Sequence, residues 1–418
     1  MKINVELSLS IVFLVVSLFL SFYLTHSLSD NYQQYSIARD ILRNPDFLWK
    51  EIDTIRIERI TGNDTVFNYP PLHIFGYAFF ILLGISPTLW AAVLLILLIY
   101  TMYKLEKRAI PFLMLSFLFL HHIIYGFNDS FVIVLFLGAF YFFEKKPYLS
   151  GIFMGLIPLV KPIGFLIIAV FFLSFMLFKR KEWKKYIVTF IIAALVLSPW
   201  YLRNAYFFKT DILGILLGQS TSGLMRTEEF LEQGFQATQP ERSWYDSTGF
   251  YPTPLDPLFY IGIAFFVFNI ARGMRKKEFK LGVDHVFIIS CVGLYFFLQA
   301  IHFTSFMVIR YYMFIFPLLA IQIVKGIPEK HLIKAYAIAF LIFLVWVLIL
   351  PNYSYPQAYV DSVKDNCTKI RQVVGNDPIY LQAFNRNYIM YACDLNITSA
   401  NNSIWTLDYD NGILNKTA

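Results

Sequence analysis

Pro87–Tyr103 (PTLWAAVLLILLIYTMY), Lys104–Arg108 (KLEKR) and Ile110–Tyr125 (IPFLMLSFLFLHHIIY) follow one another in the chain. Each apolar run approaches the ~20 residues that cross hydrocarbon as a helix, and the cluster between them is basic. A pair of spans joined by a short basic turn is the reading. Similar apolar blocks recur at Ile11–Leu24, Phe131–Phe143, Leu149–Val160, Ile163–Phe178, Tyr186–Trp200, Pro257–Ala271, Val283–His302, Ile309–Val324 and Ala335–Leu350. The sequence therefore predicts an all-α polytopic membrane protein with about eleven transmembrane helices. Composition agrees: 57% of the residues are hydrophobic and 15% charged, and the mean hydropathy is +0.57. A soluble chain carries about 25% charged residues, so a soluble enzyme is excluded. The net charge of +7 sits in short clusters between apolar blocks, which reads as cytoplasmic loops and not as a nucleic-acid surface.

Orientation follows from those clusters. Lys104–Arg108, Glu144–Pro147, Lys179–Lys185, Ala271–Lys280, Lys325–Lys334 and the first eight residues hold 19 of the 35 Lys/Arg but 6 of the 28 Asp/Glu. They are expected on the cytoplasmic side, together with the N-terminus. Ile11–Leu24 follows one lysine as a signal peptide does, but no small-residue cleavage site follows before Asp30, so it is kept as the first span. Leu72–Ile85 is also apolar; counted as a span it would invert every later cluster. Flanked by Pro70-Pro71 and Ser86-Pro87, it is assigned to a juxtamembrane or re-entrant helix.

Three stretches then face outward: 29–71, 201–256 and the tail 351–418. The domain reading is a transmembrane module, 1–350, and a small external C-terminal domain. In that tail Tyr359–Val373 is helical in pattern, Pro378–Ala383 strand-like, Asn387–Cys393 helical and Ile404–Leu407 strand-like, an α/β appendage that at this size is marginal alone. Cys367 and Cys393 both lie there, on the oxidising side, and are expected to form a disulfide; two free thiols in a small core are the other reading. N-x-S/T sequons occur at Asn63, Asn128, Asn352, Asn366, Asn396, Asn401 and Asn415, none in a cytoplasmic segment.

Polar residues near the outer ends of spans are the candidates for chemistry. Asp30, in Ser29-Asp30-Asn31-Tyr32, is either an acid or base at the membrane surface or the cap of a helix through Gln33–Leu42. Asn128-Asp129 opens the span after Tyr125-Gly126 and is either an N-cap or a second wall of a site shared with Asp30. Lys161-Pro162 is a lone cation at a boundary, either snorkelling or holding a partner, for which a phosphate is the candidate. Arg203 and Arg310 sit at outer helix ends. Arginine suits bidentate capture of phosphate oxygens, though either residue is equally readable as an interfacial anchor. His73, His121, His122 and His302 fall near the same boundary without the spacing of a ligand set; two of them meeting at a metal is the minor reading.

In order, Ser29-Asp30-Asn31-Tyr32, Phe67-Asn68-Tyr69-Pro70-Pro71-Leu72, Asn128-Asp129, Lys161-Pro162, Pro199-Trp200-Tyr201-Leu202-Arg203-Asn204 and Arg310-Tyr311-Tyr312 resemble the GT-C superfamily of integral-membrane glycosyltransferases. The similarity is to prokaryotic members such as protein O-mannosyltransferase-like enzymes, the lipid A aminoarabinose transferase and polyprenyl-phosphate-mannose-dependent mannosyltransferases, and it covers about residues 10–325. It implies an inverting transfer of a sugar, a hexose such as mannose, from a polyprenyl or dolichyl phosphate to a lipid, glycan or protein acceptor outside a prokaryotic cell membrane. Asp30 matches the first-loop general base and Asp129 the second acidic motif. Lys161, Arg203 and Arg310 are the candidate phosphate cradle, and Asn31, Tyr69, His73 and Asn128 the candidate substrate contacts. The Trp-Trp-Asp motif of oligosaccharyltransferases is absent, which disfavours divalent-metal-dependent transfer to asparagine. No cofactor is expected. The rival is a divalent metal held by Asp30, Asp129 and an acid such as Glu228 or Glu232. A polytopic transporter or lipid flippase is the alternative function, but transporters gather ionisable groups near the midplane in repeated halves, and no repeat is visible here. A mere anchor for the tail would not require so many spans.

Overall fold

The computed structural model describes residues 5–23, 31–43, 71–86, 89–161, 164–178, 183–208, 256–300, 309–353, 357–375, 377, 379–382, 389, 392–393, 404–409 and 412–416. Among these the helices are α1 Val5–Tyr23, α2 Asn31–Arg43, α3 Pro71–Leu82, α4 Leu89–Glu106, α5 Phe117–Ile124, α6 Asn128–Phe143, α7 Pro147–Leu156, α8 Gly164–Phe178 and α9 Trp183–Phe208. The second half contributes α10 Pro257–Arg275, α11 Val283–Ala300, α12 Phe316–Gly326, α13 Glu329–Ile349 and α14 Gln357–Val374. Tight 3-10 stretches cover Lys107–Leu115, Ile309–Ile315 and Leu350–Tyr353.

Among the described residues, four helical stretches can cross a membrane by length and apolarity: Leu89–Leu115, Trp183–Leu202, Pro257–Arg275 and Glu329–Ile349, with the bent pair α5–α6 as a fifth. Geometry refines the first. Drawn straight, α4 and the 3-10 stretch after it would separate Leu89 from Leu115 by about 45 Å. Yet Ala91 lies against Gly126, whose added Cβ would approach the Ala91 Cβ to 2.7 Å. The chain from Leu115 to Gly126 reaches only about 22 Å, because α5 takes up most of it. The stretch is therefore folded back on itself, and the reversal is at Glu106, whose backbone is extended (φ −160, ψ 92) and whose side chain accepts from the Arg108 N–H. The returning arm runs beside α13: Tyr336 Oη donates to the Arg108 carbonyl at 3.0 Å and Trp346 Nε1 to the Leu115 carbonyl at 3.1 Å. By contrast α3, only twelve residues long, is shorter than a crossing needs.

Ion pairs join the basic segments to one another and to the start of α11. Arg108 lies 3.9 Å from Glu329, Lys185 donates to Glu144 at 2.9 Å, and Lys325 donates to Asp284 at 3.2 Å. On α13, Tyr336, Ala339 and Phe343 are buried in the bundle, while Ile338, Leu341, Val345 and Leu348 form an exposed stripe. In water such a stripe is unfavourable at ~25 cal/mol per Å²; against lipid it costs nothing.

One polar staple holds distant parts together. Asp256, buried, caps α10 by accepting from the Leu258 and Phe259 N–H groups, and its other oxygen accepts from Ser116 Oγ at 2.6 Å, at the start of α5. A carboxylate at two helix N-termini is favoured by both dipoles.

The C-terminal elements are α14 and the strands β1 Ile379–Gln382, β2 Trp405–Asp408 and β3 Ile413–Lys416. β1 pairs with β2 in parallel and β2 with β3 antiparallel; β3 was not among the sequence expectations. Cys367 and Cys393 form a disulfide, Cα–Cα 4.7 Å. Both cysteines belong to an apolar cluster that also contains Val360, Val363 and Leu407 of this region, Tyr35, Ala38 and Ile41 of α2, and Ile74, Tyr77 and Ala78 of α3.

Candidate active site

The bend between α5 and α6 builds the site. The two helices meet at 102°, across Tyr125-Gly126-Phe127. Gly126 has φ +67, a left-handed conformation that costs other residues about 1–2 kcal/mol, and Ala91 leaves no room for its Cβ. The N-cap expected at Asn128-Asp129 falls instead on Phe127, which makes no side-chain cap bond. Asp129 thus lies in the first turn of α6, where the helix dipole favours a carboxylate, and its oxygens are engaged elsewhere. Lys161 Nζ bonds Asp129 Oδ1, and His122 Nδ1 lies 3.2 Å from Oδ2. The side chains are 5%, 12% and 0% exposed for Asp129, Lys161 and His122. Lys161 ends the turn after α7, its N–H bonded to the Ile157 carbonyl at 3.0 Å. Two residues earlier, the Leu159 carbonyl accepts from the Leu72 N–H at 2.9 Å. The end of the first long loop is thereby docked beside Lys161.

His73 stands behind the bend. Trp90 Nε1 is a donor only, so His73 Nδ1 accepts from it at 3.2 Å and the ring proton is on Nε2. Nε2 faces the Tyr77 hydroxyl at 2.8 Å and the Gly126 carbonyl at 3.1 Å, and the Tyr77 hydroxyl donates to that carbonyl at 2.7 Å. α3 is shorter than a crossing needs, and burial pushes the His73 pKa down to about 3, against the opposing pulls of Gly126 and Asp129. With both ring nitrogens turned to protein groups, His73 braces the bend.

Of the sequence candidates, Asp129, Lys161, His73 and Asn128 are thus brought to one end of the bundle. Arg203 lies in α9 and Arg310 in the 3-10 stretch Ile309–Ile315, with side chains outside the described residues, as is that of Asn31, the first residue of α2. Asp30, Tyr69, His302, Glu228 and Glu232 lie outside the described residues altogether. Among the described residues no three of His, Cys, Asp and Glu converge as a metal site. Sequence reasoning missed Tyr77 and Trp90, and left His122 without a role; only the i,i+4 spacing of His73 and Tyr77 was a readable signal.

Comparison with known proteins finds a family and similar solved structures. Residues 67–227 match glycosyltransferase family 87, a stretch containing the His73–Tyr77 pair, the bend, Asp129 and Lys161 but neither Asp30 nor Arg310. The fold is similar to the apo crystal structure of the oligosaccharyltransferase of Archaeoglobus fulgidus, with a TM-score of 0.57 and 12% identity over 96% of this chain and 65% of that one. The chain thus spans just under two thirds of that relative's length. No curated protein matches. The fold is GT-C-like, and together with the apolar helices the matches support an integral-membrane glycosyltransferase.

Proposed function

We propose that this chain transfers a sugar, a hexose such as mannose, from a polyprenyl or dolichyl phosphate to a lipid, glycan or protein acceptor on the external side of the membrane, with inversion. The observation that supports it is the Lys161 ammonium, fixed by Asp129 at the bent mouth of the bundle within the family-87 stretch. Asp129 accepts from that ammonium and keeps the cation in place. The chemistry is then simple. The Asp30 carboxylate takes the acceptor hydroxyl proton, the oxygen attacks the anomeric carbon, and the carbon–oxygen bond to the lipid phosphate breaks with its electron pair on the phosphate. Lys161, with Arg203 and Arg310, meets the charge that develops there. Asp129, the second acidic residue of the site, holds Lys161 in place. Asn31, Tyr69 and Asn128 contact the substrates.

The same reading keeps eleven spans, a cytoplasmic N-terminus, the division at residue 350 and an external tail, on which the disulfide belongs in an oxidising compartment. It is metal-independent, because protein cations serve the leaving phosphate. The test is to incubate purified protein with a panel of labelled polyprenyl-phosphate sugars and lipid, glycan and peptide acceptors, with and without excess chelator. Transfer that survives chelator supports the reading. Transfer lost with chelator and restored by magnesium or manganese overturns its metal-independence, and no transfer from any donor overturns the whole.

A further inference from the structure

Two apolar bodies meet near the bend. One is the core of the bundle, which includes Phe127, Phe131 and the buried face of α6; the other joins the disulfide-closed tail to α2 and α3. Trp90 packs against both, with its ring edge-to-face on Phe131 at 5.1 Å. Tyr77 belongs to the second body, where it packs edge-to-face on Tyr35 of α2 at 4.4 Å. Its hydroxyl, however, leaves that body and bonds the Gly126 carbonyl. That carbonyl belongs to the one residue whose backbone sets the bend, three positions before Asp129.

We propose that Tyr77, with His73, is a positioning residue: through the Gly126 carbonyl it ties the packing of the disulfide-closed tail, α2 and α3 to the placement of the Asp129–Lys161 pair. The role in transfer rests on the glycosyltransferase reading above; the mechanical link does not. The tail is then part of the working site and not cargo. Disturbing either end of the link loosens the turn, so that Lys161 spends less time where the leaving phosphate needs it. The donor still binds through its lipid and the remaining cations.

Tyr77→Phe removes one hydroxyl and leaves the ring on Tyr35. A single hydrogen bond of ordinary strength corresponds to about a three- to tenfold change. In full-length protein, hydrogen exchange of the amides of 125–130 is expected to rise by that factor while α13 stays unchanged. Turnover per folded molecule is expected to fall similarly with the donor KM within about twofold. Trp90→Phe, which deletes the donor to His73, and Cys367→Ser are expected to give the same pattern, and provide it if Tyr77→Phe fails to fold. Unchanged exchange at the bend, or an equal rise throughout the bundle, overturns the proposal. A rise confined to the bend in a protein whose wild type transfers no sugar leaves the link standing and removes the glycosyltransferase reading instead.

Discussion

The two ends of the bundle hold the same three side-chain types. At one end Asp129 meets Lys161 and His122; at the other Asp284 lies 3.2 Å from Lys325 and 2.9 Å from His285. Their surroundings separate them. Asp284 also accepts from Gln322 Nε2 at 3.2 Å, and Gln322 in turn accepts from Asn269, so one polar net clips α10, α11 and α12 among the basic segments. Lys325 is half in solvent, at 50% exposed against 12% for Lys161. The Asp129 trio straddles a bend instead, beneath aromatic rings and beside the docked end of the first loop. An aspartate, a lysine and a histidine do not define a reactive site; burial and the backbone beneath them do.

The largest expected effect concerns the proposed base. Asp30→Asn, which keeps a capping side chain, should leave thermal stability nearly unchanged and lower transfer by about 10²–10⁴-fold, whereas Asp284→Asn should lower turnover per folded molecule by less than about threefold. Transfer above about a tenth of wild type in Asp30→Asn removes that assignment.

The lysines come next. Lys161→Met should reduce turnover by about 10²–10³-fold, the effect of losing one preorganised donor to developing charge. Lys325→Met should change it by less than about twofold and cost at most about 1 kcal/mol, as exposed pairs do. Equal losses at the two lysines would collapse the distinction between the ends.

A pair of glycines sharpens the comparison at the backbone. Gly84 and Gly126 have nearly the same φ, +69 and +67, but a Cβ at Gly84 meets open space while one at Gly126 meets Ala91. Gly84→Ala should lower stability by about 1–2 kcal/mol, and Gly126→Ala by clearly more, with loss of transfer, in thermal unfolding and activity assays on the same preparations.

A further effect is with pH. Folded His73 takes up its proton near 3, and unfolded near its ordinary 6.5. Between those values the unfolded chain binds more protons, so stability falls as pH drops below about 6.5. His73→Gln should flatten that fall between about pH 6.5 and pH 5, measured as the melting temperature against pH.

The bundle was legible where charge interrupts apolar sequence. Lys104–Arg108 alone divides Leu89–Leu115 into two arms, and the structure turns at Glu106 within that cluster. The helix through Tyr359–Val373 and the strand at Pro378–Ala383 were also readable from pattern, since period 3.6 and period 2 are local signals. The His73 brace was not. His73 meets Gly126 fifty-three residues away, and nothing at either position announces the other. The capping expectation at Asn128-Asp129 rested on residue type, but the short turn after Gly126 gives that position to Phe127. Asp129 and Lys161 were each singled out for a charge at a boundary, without the bond that joins them.

Asp256 carries a consequence for biogenesis. Its second oxygen meets Ser116, 140 residues earlier in the chain. A ribosome delivers Ser116 to the membrane long before Asp256, so the early hairpin waits with a polar address that the late helix answers. Because that address is the Ser116 hydroxyl and the Leu118 N–H at one depth, an α10 settled one turn too high or too low would strand a carboxylate in an apolar bundle. A register error in the second half is thereby penalised by the first.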